Sequence, residues 1–592
     1  MSVQDIRQRD TEAGNTCFSS NEATPLLSVS PSETSLEILK RDTTESYIHV
    51  AKEEAKWIVT SSSLTVITLV LESSFYIVNA FSVGHLGATK LAAMSLSITC
   101  QGILAMAPTF GLLSAMDTFC SNAYTASRDK TLMGFHFQRG IIAVCAHFLL
   151  TAPILWNSEW LLLQIGQDPE IAQLTGTFLR IHILGAFPFA LFEATKRYLQ
   201  AQGIMRAGTI VTMVVAPTHW VINYYLVRSP THGLGFIGAP ISNVISNSML
   251  LIGIVTYMYN SRAMETWGGW KINAFRNMSA YYRLAIPAVI TVCAEWVCFE
   301  LLVIGASYFG ATQMAGQVVI FTATLLLSQS ITGLGYSTSP HIGNLIGAAK
   351  PRQARVAADM AILTALVIGM AGVIFMAIFG KQYIAIYTDD PAVAREAAKL
   401  IPAACAFLVA DGLNAVLSAI LRGLGRQTAS ANIFVFGFYA CAVPLGIYLG
   451  YIRHLETAGL WWGIGIGVLV SCALQTIYIY WGTDWKDEVR LCLLRLKNNS
   501  QLSRDAPTKS ADASQIVEKD VLDESGEAIG CIESACSCLL GGSHTIVIVD
   551  TAAFGIFDVE HGHISFDTQF IDAPLHVVDD AVDDCKRILE AN

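Results

Sequence analysis

Residues 291–304 read TVCAEWVCFELLVI, a run apolar enough to lie in hydrocarbon that nonetheless carries two carboxylates, Glu295 and Glu300. An ionised side chain at the centre of a bilayer costs ~2.5–3.5 kcal/mol even on the lenient insertion scale, so it faces a cavity or a partner. Five residues separate the two acids, roughly 140° around a helix, so they cannot share one face. Glu295, mid-run beside Trp296, is the candidate for chemistry, and Glu300, nearer the outer end, is a candidate hydrogen-bonding partner. Glu72, Asp411 in VADGLNAV, and Arg180 are the other ionisable groups deep in apolar runs. A desolvated carboxylate can hold a proton or an organic cation, not both at full strength. Competition for one such site is antiport: a proton drives cation release on one side, and cation entry displaces the proton on the other. Aromatic faces add cation–π attraction. Trp296 and Phe299 beside Glu295, and Tyr336 in a neighbouring run, are therefore candidate substrate contacts, with packing or interfacial anchoring as the ordinary alternative. Arg180 reads as a counter-charge for a nearby carboxylate, and His147, His182 and His219 as satisfied or interfacial groups. No His/Cys spacing matches a metal site, and no cofactor is expected beyond a coupling ion, H⁺ or in the alternative Na⁺.

The elements that position these residues follow from composition. The chain has 592 residues, 53% hydrophobic and only 14% charged, where soluble proteins carry about a quarter charged. Apolar runs recur from Trp57 to Trp485, each able to supply the roughly 20 residues that span ~30 Å of hydrocarbon, and each must be a helix. Hydropathy places twelve spans near 57–82, 91–116, 137–156, 169–194, 207–227, 236–259, 282–305, 313–336, 356–379, 393–419, 428–449 and 459–482. The expected class is an all-α membrane protein, twelve helices in two six-helix lobes with flexible cytosolic tails. Its expected organisation is an N-terminal tail over 1–56, an N-lobe over 57–260, a linker over 261–281, a C-lobe over 282–485 and an acidic tail over 486–592. The polar first 56 residues show no cleavable signal peptide. The net charge of −10 belongs to the tails: 486–592 carries 20 acidic and 9 basic residues, and 1–56 carries 10 and 6. An even number of spans puts both termini on one side. Fifteen Lys and Arg in one set of loops against four in the other make that side the cytosol.

An internal repeat supports two lobes. HLGATKLAA at 85–93 resembles YFGATQMAG at 308–316, SNAYTASRDK at 121–130 falls against GNLIGAAKPR at 343–352, LQAQG at 199–203 matches LRGLG at 421–425, and GFIGAPIS at 235–242 lies against TAGLWWGI at 457–464. The offset is 222 or 223 throughout. Six spans per half is even, so the halves are parallel repeats around a central cavity, a plan suited to a secondary transporter. The offset carries Glu295 onto Glu72, whereas Asp411 falls on Phe189, so the chemistry of the halves is not symmetric.

GHLG at 84–87, SAMDTFCSNAYTA at 114–126, QRG at 138–140, TWGGW at 266–270, LAIPAVITVCAEW at 284–296 and LRGLGRQ at 421–427 closely resemble the eukaryotic, fungal-like members of the multidrug and toxic compound extrusion (MATE) transporters. The resemblance runs in order over 57–485. It implies two lobes around a V-shaped cavity and export of organic cations against protons, or Na⁺ in some members. It also implies that the C-lobe acids Glu295, Glu300 and Asp411 carry coupling, and that Asp117 orients or gates the cytosolic end of the second helix. This sequence departs from the pattern where many bacterial members place an N-lobe Asp: Asn79 stands there. Glu72, seven residues earlier on the same helical face, could serve instead. Gln313 and Thr322 occupy two positions that are otherwise acidic, which narrows the expected cation range.

The N-terminal tail contains EATPLL at 22–27, where Glu22, Leu26 and Leu27 fit an acidic dileucine sorting signal for an adaptor. This points to a vacuolar membrane, with the plasma membrane as the alternative. The expected partners are a small organic cation and the lipid bilayer, in a monomer that binds no nucleic acid. The chain is not expected to be an enzyme. A lipid-linked saccharide flippase of related architecture is the nearest rival, but it would need a basic cavity for pyrophosphate, where this core offers acids.

Overall fold

Backbone in lipid has only itself to bond to, so each long apolar run closes into a helix. In a computed structural model, described over residues 46–504 (less 232 and 277, and without side chains at 497–504) and over four strands between 537 and 566, twelve helices are long and apolar enough to cross a membrane. They are α1 Tyr47–Gly84, α2 Ala88–Ala126, α3 Thr131–Trp156, α4 Pro169–Ala201, α5 Arg206–Arg228, α6 Gly235–Tyr259, α7 Ser279–Ser307, α8 Ala311–Gly347, α9 Pro351–Tyr387, α10 Pro391–Gly423, α11 Gln427–Ile452 and α12 Glu456–Trp481. A thirteenth, α13 (Trp485–Arg504), follows. α1, α8 and α9 run 37–38 residues, about 56 Å at ~1.5 Å per residue, so they outreach the hydrocarbon. The overrun of α1, α2, α4 and α8 beyond the hydropathy boundaries lies mostly at the end of the bundle that carries the start of α1 and the end of α12, here the terminal end; the opposite is the distal end.

The repeat is visible in backbone detail. Asp168 caps α4 by accepting the backbone N–H groups of Glu170 and Ile171 at 2.9 and 3.2 Å, with Pro169 in the first turn. Asp390, 222 residues later, caps α10 through the Ala392 N–H at 2.8 Å, with Pro391 behind it. This Asp-Pro start satisfies orphan N–H groups with a ring that needs none. Gly87 and Gly310 turn at φ 117° and 114°, and Gly203 and Gly425 at 76° and 74°, left-handed conformations in which a Cβ is strained.

The same symmetry builds the seam between lobes. Gly111 of α2 lies against the Val289 backbone of α7 so closely that a Cβ would overlap it, and Gly333 of α8 lies against Val66 of α1, where a Cβ would come within 2.7 Å. These two contacts exchange under the repeat offset. At the terminal end α2 and α8 cross each other through equivalent positions, Ser121 on Gly343 and Thr125 on Gly347. Every residue of 111–123 and of 337–347 is buried, whereas the distal stretches of both helices are only partly so. The lobes are sealed at the terminal end and looser at the distal one.

Three boundaries differ from the hydropathy reading. α1 begins at Tyr47 inside the expected tail, because Glu54 is partnered there: its Oε2 lies 2.6 Å from Nε2 of His341 in α8, and Gln353 donates to its Oε1 at 2.7 Å. Residues 486–504 are not tail but α13. Its Trp485, Val489, Cys492 and Leu496 form a buried stripe at helical spacing that packs on α2, α3, α8 and α9, and its charged outer face kept its mean hydropathy low. α4 continues through Ala201, so Lys196 and Arg197, which the hydropathy boundaries leave beyond the span, lie inside the helix. Further on, strands β2 (Thr545–Val549) and β3 (Phe554–Asp558) pair antiparallel between β1 (Ser537–Leu540) and β4 (His563–Phe566).

Candidate functional site

The angle between Glu295 and Glu300 decides where each acid goes. One face of α7, holding Glu295, Cys298, Phe299 and Leu302, turns into the C-lobe. There Phe299 packs on Phe321 of α8 and Phe407 of α10, with ring centroids 5.5 and 5.7 Å apart, and Phe407 packs on Trp461 of α12 at 5.7 Å. The other face holds Trp296 and Glu300 and meets α2. The Trp296 ring covers Gly102, where a Cβ would come within 2.6 Å of it, in a π-helical turn over Gly102–Met106. Glu300 hydrogen-bonds Thr99. The expectation that Glu300 partners Glu295 is therefore corrected: the two point to different neighbours, as their spacing requires. Phe299 is part of an aromatic packing cluster, and Trp296 is part of the α2–α7 seam.

Glu295 instead lies within electrostatic reach of Asp411 on α10, and Arg422 lies within the same reach. Both acids are half-buried at mid-helix, so space adjoins them. The Ser328 hydroxyl of α8 donates to Asp411 Oδ2 at 3.4 Å. Just past Asp411, a neutral network locks α10 to α12: Gln475 Nε2 donates to Asn414 Oδ1 at 2.7 Å, Ser471 donates to the same oxygen at 3.1 Å, and Ser418 donates to Gln475 Oε1 at 3.1 Å. All four side chains are buried and paired, which fixes the backbone carrying Asp411. The result is two carboxylates from different helices, held near each other beside open space. Gln313, at one of the positions expected to be acidic, donates to Glu456 Oε2 at 2.5 Å, and Thr322 bonds back to the Val318 carbonyl at 2.8 Å.

The N-lobe equivalent is built differently. Glu72 is paired to Lys196 Nζ at 2.9 Å, and Glu193 one turn earlier on α4 also holds that ammonium. Lys196 lies over the Phe192 ring, 5.1 Å from its centroid. Glu72 is thus no free acid in this conformation. Beside it Arg197 Nη1 donates to Asp117 Oδ2 at 2.9 Å, both side chains 5% exposed, which places Asp117 in the sealed end. Tyr336 is engaged by the Arg197 guanidinium, 5.1 Å from its ring; the expectation of a substrate-contacting ring is corrected to a ring in the seal. Asn79 accepts from Asn223 Nδ2 at 2.6 Å and donates to Asn243 Oδ1 at 2.8 Å, and His182 lies 3.3 Å from Asn243, so a neutral network stands at the position of the bacterial Asp. Arg180 is half-exposed and near the distal end, bonded to Glu159 at 2.9 Å and to the Trp156 carbonyl at 3.1 Å. It is a structural counter-charge, not a deep cation. Among the described residues the deep cations include Arg139, Lys196, Arg197 and Arg422. For Lys196 and Arg197 the signal was the FEATKRY stretch, an acid three residues before two bases at the end of an apolar run. The sorting residues Glu22, Leu26 and Leu27 lie outside the described residues.

A twelve-helix core with this twofold repeat is also what comparison finds. The MatE family model matches residues 65–225 and again 287–448, two copies 222 residues apart. The chain belongs to the MATE family. An uncharacterized transporter of Schizosaccharomyces pombe is 32% identical over 436 residues, covering 74% of this chain and 81% of that one. Multidrug and toxin extrusion protein 2 of Mus musculus is 31% identical over 451 residues, covering 76% and 77%. The crystal structure of the eukaryotic MATE transporter AtDTX14 superposes with a TM-score of 0.70 at 25% identity, over 76% of this chain and all of that one. This MATE protein is accordingly an integral multi-pass membrane transporter and not an enzyme.

Proposed function

We propose that this MATE transporter exports or sequesters small organic cations in exchange for protons by alternating access, with Glu295 and Asp411 as the shared site for proton and cargo. The observation that carries this reading is that those two half-buried acids, from α7 and α10, lie within electrostatic reach of each other. Two carboxylates in a low-dielectric cleft cannot both stay ionised without a cation, so the site exchanges a proton for a positively charged substrate. The name of the mouse relative, multidrug and toxin extrusion, agrees with such cargo. Protons are preferred to Na⁺ because Na⁺ would demand several oxygen ligands converging on one point, and Asp411 has the Ser328 hydroxyl only at 3.4 Å. The Lys/Arg bias makes the terminal end cytosolic, so the conformation seen here is closed to the cytosol. Within this reading the protein acts as a monomer in the vacuolar or plasma membrane, sorted by an adaptor on its N-terminal tail.

The test is uptake of a fluorescent organic cation into proteoliposomes under an imposed pH gradient. Wild type accumulates the dye, and Glu295→Gln abolishes gradient-driven flux. Undiminished flux in the variant would remove Glu295 from coupling, and dye movement driven by a Na⁺ gradient alone would replace the ion.

A further inference from the structure

The sealed end contains a charge imbalance that none of the assignments above explains. Three carboxylates, Glu72 of α1, Asp117 of α2 and Glu193 of α4, face two cations, Lys196 and Arg197 of α4, all but Glu72 at most 5% exposed. A buried cluster one positive charge short is costly. The missing charge comes from the other lobe. Arg422, at the terminal end of α10, lies within electrostatic reach of Asp117, of Arg197 and of the Tyr336 hydroxyl. Its own carbonyl accepts the Thr118 hydroxyl of α2 at 2.5 Å, and Gln427 Nε2 donates to that hydroxyl at 2.9 Å, so α10 is docked where the count requires a cation. Arg422 also lies eleven residues from Asp411, three turns of about 5.4 Å along nearly the same helical face, and Glu295 is within its reach as well. Arg422 has no hydrogen-bonded carboxylate among the described ion pairs. It is shared between two groups of acids, one in each lobe.

We propose that Arg422 is an internal counter-ion that α10 lends to the N-lobe cluster while the cytosolic end is shut, and that turns toward Glu295 and Asp411 when that end opens. Opening moves α10 with the C-lobe, away from Asp117 and its neighbours. The guanidinium then has only the C-lobe acids to neutralise, and a cation arriving there favours loss of their proton to the cytosol. The N-lobe cluster is left one charge short and facing the cytosol, where it attracts the incoming organic cation. Arg422 is a positioning residue in this scheme. It touches neither proton nor cargo but sets when the acids release one and the vestibule draws in the other. The inference rests on the proton-antiport reading above.

The experiment measures dye flux in proteoliposomes against cytosolic-side pH, together with thermal unfolding. Arg422→Gln shifts the pH midpoint of flux upward by about one pH unit, the order expected for removing one nearby charge at an effective dielectric of ~20. Arg422→Lys, which keeps the charge, keeps the wild-type midpoint. Arg422→Gln also lowers the unfolding temperature, and adding Glu193→Gln, which restores neutrality in the N-lobe cluster, recovers it while leaving the midpoint displaced. If Arg422→Gln folds too poorly to measure, the double variant carries the same midpoint test. A wild-type midpoint in either Gln variant overturns the proposal, as does a midpoint displaced equally by Lys. Absence of pH-driven flux in wild type would instead refute the antiport reading, so the two failures are distinguishable.

Discussion

Ser62 of α1 and Ser337 of α8 belong to different lobes, and their hydroxyl oxygens lie 2.8 Å apart in a buried contact. Replacing both with cysteine puts two sulfurs where a disulfide needs ~2.0 Å, a difference of roughly 0.8 Å that side-chain rotation can absorb. Nothing else needs to move, because the flanking seam is already tight: Thr65 Oγ1 donates to the Gly333 carbonyl at 2.7 Å, and Gln329 Nε2 donates to Ser73 Oγ at 2.9 Å. Ser62→Cys/Ser337→Cys therefore cross-links readily under mild oxidant, in the conformation closed at the terminal end. Alternating access requires this contact to break once per cycle. The lost fraction of transport should equal the cross-linked fraction, one for one, and a reductant should restore it. The measurement is dye flux in proteoliposomes, with the bond quantified by gel mobility after cleavage of the loop between α6 and α7. Each single cysteine transports with and without oxidant. Fully cross-linked protein that moves dye at the uncross-linked rate would show that the lobes do not part here, and the sealed end would lose its meaning as a gate.

Gly343→Ala sets a Cβ on the Ser121 hydroxyl. Overpacking of this kind costs about 1–3 kcal/mol, here only in the closed conformation, so opening should be favoured roughly 5- to 150-fold, read as faster thiol labelling of a Ser62→Cys reporter from the cytosolic side. Lys196→Met leaves Glu72 and Glu193 buried together without their ammonium and should cost about 3–5 kcal/mol; an unfolding temperature equal to wild type would contradict the triad, and adding Glu193→Gln should return part of the loss. In α13, outside the membrane spans, burial pushes the Cys492 thiol from its ordinary 9.0 up to about 12. At pH 8 its thiolate is then about a thousandfold scarcer than that of an exposed cysteine, and alkylation should be correspondingly slow. The neutral thiol favours the docked helix below pH 9, and that contribution fades as pH rises from 9 toward 12. Glu488→Gln, which weakens the pairing to Arg426 at 2.6 Å, should loosen α13 and speed Cys492 labelling; unchanged labelling would show that α13 is held by its apolar stripe alone.

The twelve helices were legible because a lipid solvent leaves the backbone no other choice, and the repeat was legible because two lobes built on one plan reuse the same turns. The Asp-Pro starts at 168 and 390 carried the same message and escaped notice, being only two residues long. Glu295 and Asp411 could be singled out as costly groups in hydrocarbon. Their proximity could not, since it depends on how the C-lobe helices are arranged. The 140° between Glu295 and Glu300 already forbade a shared face, and it is the α2 contact, absent from any local pattern, that gives Glu300 its Thr99 partner. The largest misreading concerned Lys196 and Arg197. Hydropathy ends a span where charges begin, but a charge matched by Glu72, Glu193 or Asp117 does not end a helix. Helix α13 was hidden for the converse reason: its apolar stripe is one residue wide, and an average over all its faces is polar.

Under the antiport reading proposed above, two lobes with one architecture and different chemistry imply a division of labour. Symmetry governs what must move: Gly111 on Val289 and Gly333 on Val66 give both seams the same close backbone approach, so they can open and close as one rocking motion. Asymmetry governs what must be bound. At the equivalent depth the C-lobe leaves Glu295 beside Asp411 without a hydrogen-bonded cation, while the N-lobe gives Glu72 a lysine of its own and replaces the counterpart of Asp411 with Phe189. Were both lobes acidic and open, the cavity would carry at least four uncompensated charges and would bind a cation too tightly to release it. Were both neutralised, nothing would draw the cation in. Confining the exchangeable charge to one lobe, and locking the other with internal ion pairs at the end that must seal, lets a single rocking motion alter binding strength and access together.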